Sequence, residues 1–262
     1  ERDIPAPRPD ELADYERKLA VWEKERERLE KPIRDFVAGL VPDRVTDWEK
    51  KLTPPRARWT MIHPEEITTI TEDEERVSQP NADFSVTTGE RDPVRTRYVV
   101  QAPLTMRGVT GFRVEALAGL GERAGRARSG DFHLAEFSAM ARTPAGEQRK
   151  LVFAAARADF SAKGSPPEHT LDGDNTTGWS VTGQGDRGHV IVFELKEPQD
   201  FPAGTTLFLE LEHRLTGVMT RFRLAATSRA APLEPSTLPD EILAIVDTPA
   251  GKRSAEDTAA LA

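Results

Sequence analysis

The feature that most constrains this chain is a change of hydrophobic period at Trp59. Before it apolar residues recur every three or four positions; after it they alternate or fall in short β-rich runs, and no helical pattern returns before Ser228. The runs lie near 59–63, 67–70, 84–88, 96–102, 109–117, 132–141, 150–158, 178–182, 189–196, 205–213 and 220–228, separated by Gly, Pro, Asn and Asp. Strands without intervening helices cannot build βαβ units, so they must close as antiparallel sheets packed face to face. In Leu207-Phe208-Leu209-Glu210-Leu211-Glu212 and Arg221-Phe222-Arg223-Leu224 one parity is apolar and the other largely charged, as a strand with one face in a core requires. The expectation is a mainly β jelly-roll sandwich over 57–230, with helical connectors at 1–56 and 231–262.

In the first connector Leu12, Tyr15, Leu19, Trp22, Leu29, Ile33, Phe36 and Leu40 keep a three-four spacing that Arg26 interrupts. This predicts one long amphipathic helix, or two meeting near Pro32, packing through that stripe with Glu, Lys and Arg on the outer face. Pro42, Pro54 and Pro55 then bracket a short helix around Trp48. At the far end Pro239 to Val246 reads as a helix, Pro249-Ala250-Gly251 as a turn, and Ser254 with Asp257 as a capping box. The start at Glu1 and the unterminated run to Ala262 are read as cuts within a longer chain, and the two helical ends are expected side by side at one end of the sandwich.

Composition narrows the function. Forty-four acidic against 36 basic residues give a net charge of -8, a field that repels nucleic acid and anionic membranes. No apolar run approaches the length of a membrane span, and the absence of cysteine removes disulfides, thiolate nucleophiles and Cys-ligated zinc. The histidines at 63, 133, 169, 189 and 213 form no HExxH pair, and no Gly-x-Ser-x-Gly elbow occurs. The chain is therefore expected not to be an enzyme.

Two segments carry candidate chemistry. In Asp172-Gly173-Asp174-Asn175-Thr176-Thr177-Gly178-Trp179 several oxygens can converge where a glycine relieves the turn, which suits a hard cation such as calcium; the alternative is a turn whose Asp side chains cap backbone N–H groups. On the run from Phe132 to Met140, Glu136 shares parity with Phe132, Leu134 and Met140, so it is expected on a buried face, held by calcium or by a facing arginine. The candidate metal set is Glu136, Asp172, Asp174 and Thr177, with Trp179 buried beside it as packing. Between these runs, 119–131 reads as a mobile hairpin loop, and Arg123, Arg126 and Arg128, with His133 beyond it, form a candidate ligand set, because guanidinium forks suit carboxylates, sulfates and sugar hydroxyls; a solvated loop is the alternative.

Val109 to Leu117, the Gly/Arg loop, Gly130 to Phe137, Asp172 to Trp179 and Arg221 to Leu224 together resemble the sandwich region of large planctomycete-type cytochrome c-like multidomain proteins. Asp172-Gly173 followed by Thr177 and Trp179 is more distantly similar to a stretch in discoidin-like and family-32 carbohydrate-binding modules, where the Asp, the Thr and a Glu hold a structural calcium; here the Glu-bearing run precedes the loop instead of following it. These resemblances imply a galactose-binding-like, non-catalytic accessory module of a larger extracytoplasmic protein, periplasmic or at the cell surface. It would recognise a glycan and contact the flanking domains of its parent chain. The rival expectation is a purely structural spacer between those domains.

Overall fold

The computed structural model describes residues 9–51, 59–88, 95–118, 123–214, 217–236, 238 and 240–261; the expectations at Pro54, Pro55, Pro239 and 119–122 lie outside them. Contacts divide the chain into two units, 1–54 with 248–262, and 55–247. The chain begins with helix α1 (Pro9–Lys51), and two short helices, α2 (Asp240–Asp247) and α3 (Ala255–Ala260), follow the strands.

In the first unit α1 is one helix of 43 residues that continues through Pro32 and Pro42, so the separate short helix expected around Trp48 is its last part. Proline removes an N–H and crowds the preceding turn. Side-chain pairs on neighbouring turns act against that loss: Asp14 with Arg17 at 2.8 Å and Lys18 at 2.7 Å, Glu25 with Arg28 at 2.6 Å, Lys31 with Asp35 at 3.4 Å. Pairs at these spacings favour the helix. In the part of the stripe whose side chains are described, Leu12, Tyr15, Trp22 and Leu29 are open to solvent and not packed, with Tyr15 60% and Trp22 56% exposed. Arg26, which interrupts the stripe, lies over the Trp22 ring at 4.9 Å. At α3 the capping box forms as the spacing predicts: Asp257 N donates to Ser254 Oγ at 3.0 Å and Ser254 N to Asp257 Oδ2 at 2.9 Å. Arg253, half-buried, joins this tail to α1 through Glu49 at 2.6 Å.

The second unit carries β1 (Thr60–Met61), β2 (Glu66–Thr71), β3 (Glu75–Ser78), β4 (Val86–Thr87), β5 (Arg95–Pro103), β6 (Met106–Ala116), β7 (His133–Arg142), β8 (Gln148–Lys150), β9 (Phe153–Ala158), β10 (Trp179–Ser180), β11 (His189–Phe201), β12 (Thr206–Arg214) and β13 (Arg221–Thr227). They form two antiparallel sheets. The first has order β1-β13-β6-β11-β9 with β4 on β13, and the second β10-β7-β12-β5-β2-β3 with β8 on β7. Along β12 Leu207, Leu209, Leu211 and His213 are buried while the residues between them are half-buried, as the alternation requires.

The sheets meet through aromatic rings. Phe137 on β7 stacks on Phe193 of β11 with centroids 3.9 Å apart and planes 12° from parallel, Phe153 of β9 meets both rings, and Tyr98 of β5 meets Phe222 of β13 at 5.6 Å. The first sheet is also covered on its outer face. Trp59, Val190, Val192, Ala225 and Leu233 form a second small core there, and Leu233 Cδ1 occupies the space that a Cβ on Gly111 would fill. That is why His189 to Phe193 is buried on both parities. Arg113, 2% exposed, lies within this cover, over the Trp59 ring at 5.1 Å and paired with Glu115 at 2.8 Å.

Truncating the central ring, Phe193→Ala, should lower the unfolding free energy by about 3–5 kcal/mol in urea titration, whereas Trp22→Ala on the exposed helix face should change it by about 0.5 kcal/mol or less. A Phe193→Ala protein as stable as the parent would mean that the stacked rings do not hold the sheets together.

Candidate functional site

The candidate acidic site starts from a fault in strand pairing. β12 pairs Glu212 with Glu136 and then His213 with Leu134, so Ala135 is an extra residue, a β-bulge. The bulge reverses parity. Phe132 and Leu134 face the core on one side of it and Phe137, Ala139 and Ala141 on the other, while Glu136 moves to the outer face, half-buried. The expectation that Glu136 shares the buried face of Phe132 and Leu134 is corrected here, because strict alternation fails at a bulge. β10 closes over this point, and Gly178 permits it: a Cβ there would sit 2.3 Å from the Leu134 carbonyl oxygen and 2.7 Å from the Ala135 Cα.

A short 3-10 turn (Pro167–Leu171) delivers the Asp172 loop to the same face. The loop is tied to itself. Asp172 Oδ1 accepts from Asp174 N at 2.8 Å, Asp174 Oδ1 from Thr176 N at 3.0 Å and Thr176 Oγ1 at 2.6 Å, and Thr177 Oγ1 donates to Asp172 Oδ2 at 2.8 Å. Gly173, at φ 80°, takes the left-handed step of the turn. These are the backbone-capping aspartates of the turn reading. The structure nevertheless brings Glu136 and Asp172 together, as the calcium reading requires, and Trp179 is fully buried, its Nε1 donating to the Phe160 carbonyl at 2.8 Å. Among the described residues no three His, Asp or Glu side chains are grouped as metal ligands.

The Glu136–Asp172 pair carries unbalanced charge. The arginines on this face, Arg95 and Arg214, go to Glu212 at 3.1 and 3.2 Å, and none of the described arginines pairs with Glu136. Its Oε1 is buried with no hydrogen-bond partner. Burial first, then the Asp172 carboxylate, push the Glu136 carboxyl up to about 7. Burial alone would raise Asp172 as well, but donation from Asp174 N and Thr177 and the contact with Glu136 outweigh it and hold Asp172 below the usual carboxylate range. A proton shared by the two carboxyls therefore resides on Glu136.

The candidate ligand residues divide. Arg123 and Arg126 line an open cleft of about 820 Å³ with Asn81, Asp83, Thr87 and Arg221. The described part of the loop that carries them, 123–131, is anchored and not a mobile hairpin: Ala124 is fully buried, Arg126 N donates to Val218 O at 2.9 Å and Thr220 N to Ala124 O at 2.8 Å. Arg126 is held by Thr88 through Nε at 3.2 Å and Nη2 at 2.9 Å, and Arg123 donates to the Arg128 carbonyl. Arg128 is exposed and His133 buried, and neither lines the cleft. Burial holds the His133 imidazole below its ordinary range. His213, in the core, has no hydrogen-bond partner on either ring nitrogen; burial first, and then His133, push it down to about 3, so it stays neutral.

The opposite wall, unanticipated from sequence, is a turn whose signal was Pro80-Asn81-Ala82-Asp83. Asn81 Nδ2 donates to Ser85 Oγ at 2.9 Å and Thr87 Oγ1 at 2.8 Å, Arg221 Nε donates to Ser85 Oγ at 2.7 Å, and Arg221 pairs with Asp83. Between Asp83 and Ser85, Phe84 stands at φ 62°, a region that bulky side chains avoid, and stacks on His63 with centroids 3.7 Å apart. Comparison with family models, with curated proteins and with solved structures returns no match.

Because the folded Glu136 carboxyl titrates near 7 against an ordinary 4.5, its contribution to stability is complete below about pH 4.5 and disappears as pH rises through 7. The melting temperature of Glu136→Gln should therefore rise relative to that of the parent as pH increases across that window, while His213, whose folded value is depressed to about 3, should cost stability as pH falls below 6.5 in both proteins and cancel in that difference. Identical melting profiles for parent and Glu136→Gln between pH 4.5 and 7 would contradict the shared proton.

Proposed function

We propose that the 55–247 unit is a non-catalytic carbohydrate-binding accessory module of galactose-binding-like, jelly-roll type, serving a larger extracytoplasmic protein of the planctomycete cytochrome c-like kind. The observation that carries the reading is the cleft. Guanidinium groups from two chain segments and a carboxamide from a third face one concavity, each held by hydrogen bonds beneath it. Polar groups fixed in advance lose little entropy on binding and suit the dense hydroxyl pattern of a sugar. Glycan is the ligand in this reading, and the flanking domains of the parent chain are the other partners.

The rival reading, a structural spacer, has its own support. A helix of 43 residues spans about 65 Å at 1.5 Å per residue, and Arg253 ties the chain's two helical ends together. Affinity electrophoresis through gels carrying neutral or charged polysaccharides separates the two. Retardation in at least one gel is expected for an accessory module, and migration unchanged in every gel would leave the spacer.

Calcium enters this reading as a structural ion at the Glu136–Asp172 pair. The residues fit there because the two carboxylates share one uncompensated site, with Asp174 and Thr177 adjacent but engaged within the loop. Bound only to the folded state, the ion would stabilise by about 3 kcal/mol at a hundredfold excess over Kd. Chelator should then lower the melting temperature, and Asp172→Ala should abolish that sensitivity. A melting curve unchanged by chelator would leave the pair to its proton.

A further inference from the structure

Net charge makes the cleft unusual within its own chain. The protein carries eight more acidic than basic residues, yet the described lining of this concavity holds three arginines, Arg123, Arg126 and Arg221, against one carboxylate, Asp83. Asp83 is already paired with Arg221. Among the described residues no carboxylate pairs with Arg123 or Arg126; their partners are the Arg128 carbonyl and the Thr88 carbonyl and hydroxyl. A guanidinium has five N–H donors, so these bonds fix each group while leaving donors uncommitted. Held positive charge with no counter-charge among the described residues, in a concave site, attracts an anion more strongly than it attracts neutral hydroxyls.

We propose that the cleft takes the anionic group of an acidic polysaccharide, a carboxylate or a sulfate ester, between Arg123 and Arg126, with Arg221 and Asp83 as a neutralised pair that shapes the opposite wall. The two anion types share the chemistry the site reads, oxygens that accept parallel N–H bonds from a planar fork. Asn81 lies on the wall where the hydroxyls of the same sugar unit would sit. The inference rests on the accessory-module reading and adds the class of sugar to it.

The full 262-residue chain is run in affinity gels containing polygalacturonate, dextran sulfate or neutral dextran. Retardation is expected by polygalacturonate, by dextran sulfate or by both, the pair of gels separating carboxylate from sulfate recognition, and none by dextran. Arg126→Gln and Arg123→Gln should each weaken that retardation by about tenfold, while Arg76→Gln, a distant exposed arginine on β3, should leave it unchanged. Among the described residues the Arg123 side chain bonds to one loop carbonyl, so its variant decides the question should Arg126→Gln melt early. Equal retardation by dextran, untouched by either glutamine variant, would overturn the anionic preference and leave the accessory-module reading standing. Equal weakening by Arg76→Gln would show diffuse charge attraction and overturn it too. No retardation in any gel would overturn both.

Discussion

The face-to-face contact of Phe137 with Phe193 is the interaction around which the strand-bearing unit is arranged. The rings belong to opposite sheets, lie 3.9 Å apart, and are bordered by Phe153 from a third strand. Stacked rings bury a large apolar area between the sheets, and the sheets they join must keep the same inward parity along β7 and β11. Once Phe137 is committed to the core, Leu134 and Phe132 can be buried as well only if the strand slips by one residue. The bulge at Ala135 is that slip.

The candidate acidic site is a consequence of the slip. Moving Glu136 to the outer face puts it opposite Glu212 and beside the Asp172 loop, where Arg95 and Arg214 already serve Glu212. A lone carboxyl in that position must keep its proton or share a cation, since burial and a neighbouring carboxylate both disfavour its charge. His213, whose ring lies on the core side, has the opposite problem and stays neutral by losing its proton. The two groups pull stability in opposite directions with pH, and neither arrangement follows from composition.

The cleft is built differently, from loop residues together with Thr87 of β4 and Arg221 of β13 in the first sheet. Its arginines are positioned by backbone bonds at Ala124 and Arg126 and by the turn that carries Phe84 at positive φ. That residue keeps a conformation unfavourable for its type, and the stacking on His63 and the Asp83, Ser85 and Arg221 contacts around it hold it there. Local strain is thus held beside a concave, charged lining.

Sequence alone determined the element types. Alternation along Leu207 to Leu211, the uninterrupted β-rich run after Trp59, the Ser254–Asp257 cap and the helix from Pro9 all follow from side-chain period and local hydrogen bonding, which act over a few residues. Two local features still resisted. Pro32 and Pro42 do not interrupt α1, and parity misplaced Glu136, because a bulge is fixed by pairing with the partner strand and shows in the strand that carries it as a change of apolar parity between Leu134 and Phe137. Tertiary structure decided which distant residues meet. Sequence grouped Arg123, Arg126, Arg128 and His133 by proximity in the chain; folding kept the first two, exposed the third, buried the fourth, and brought Arg221, Asp83 and Asn81 across to face them. Those contacts join segments from 38 to 138 residues apart, and their pairing depends on strand order and register, which no local pattern records.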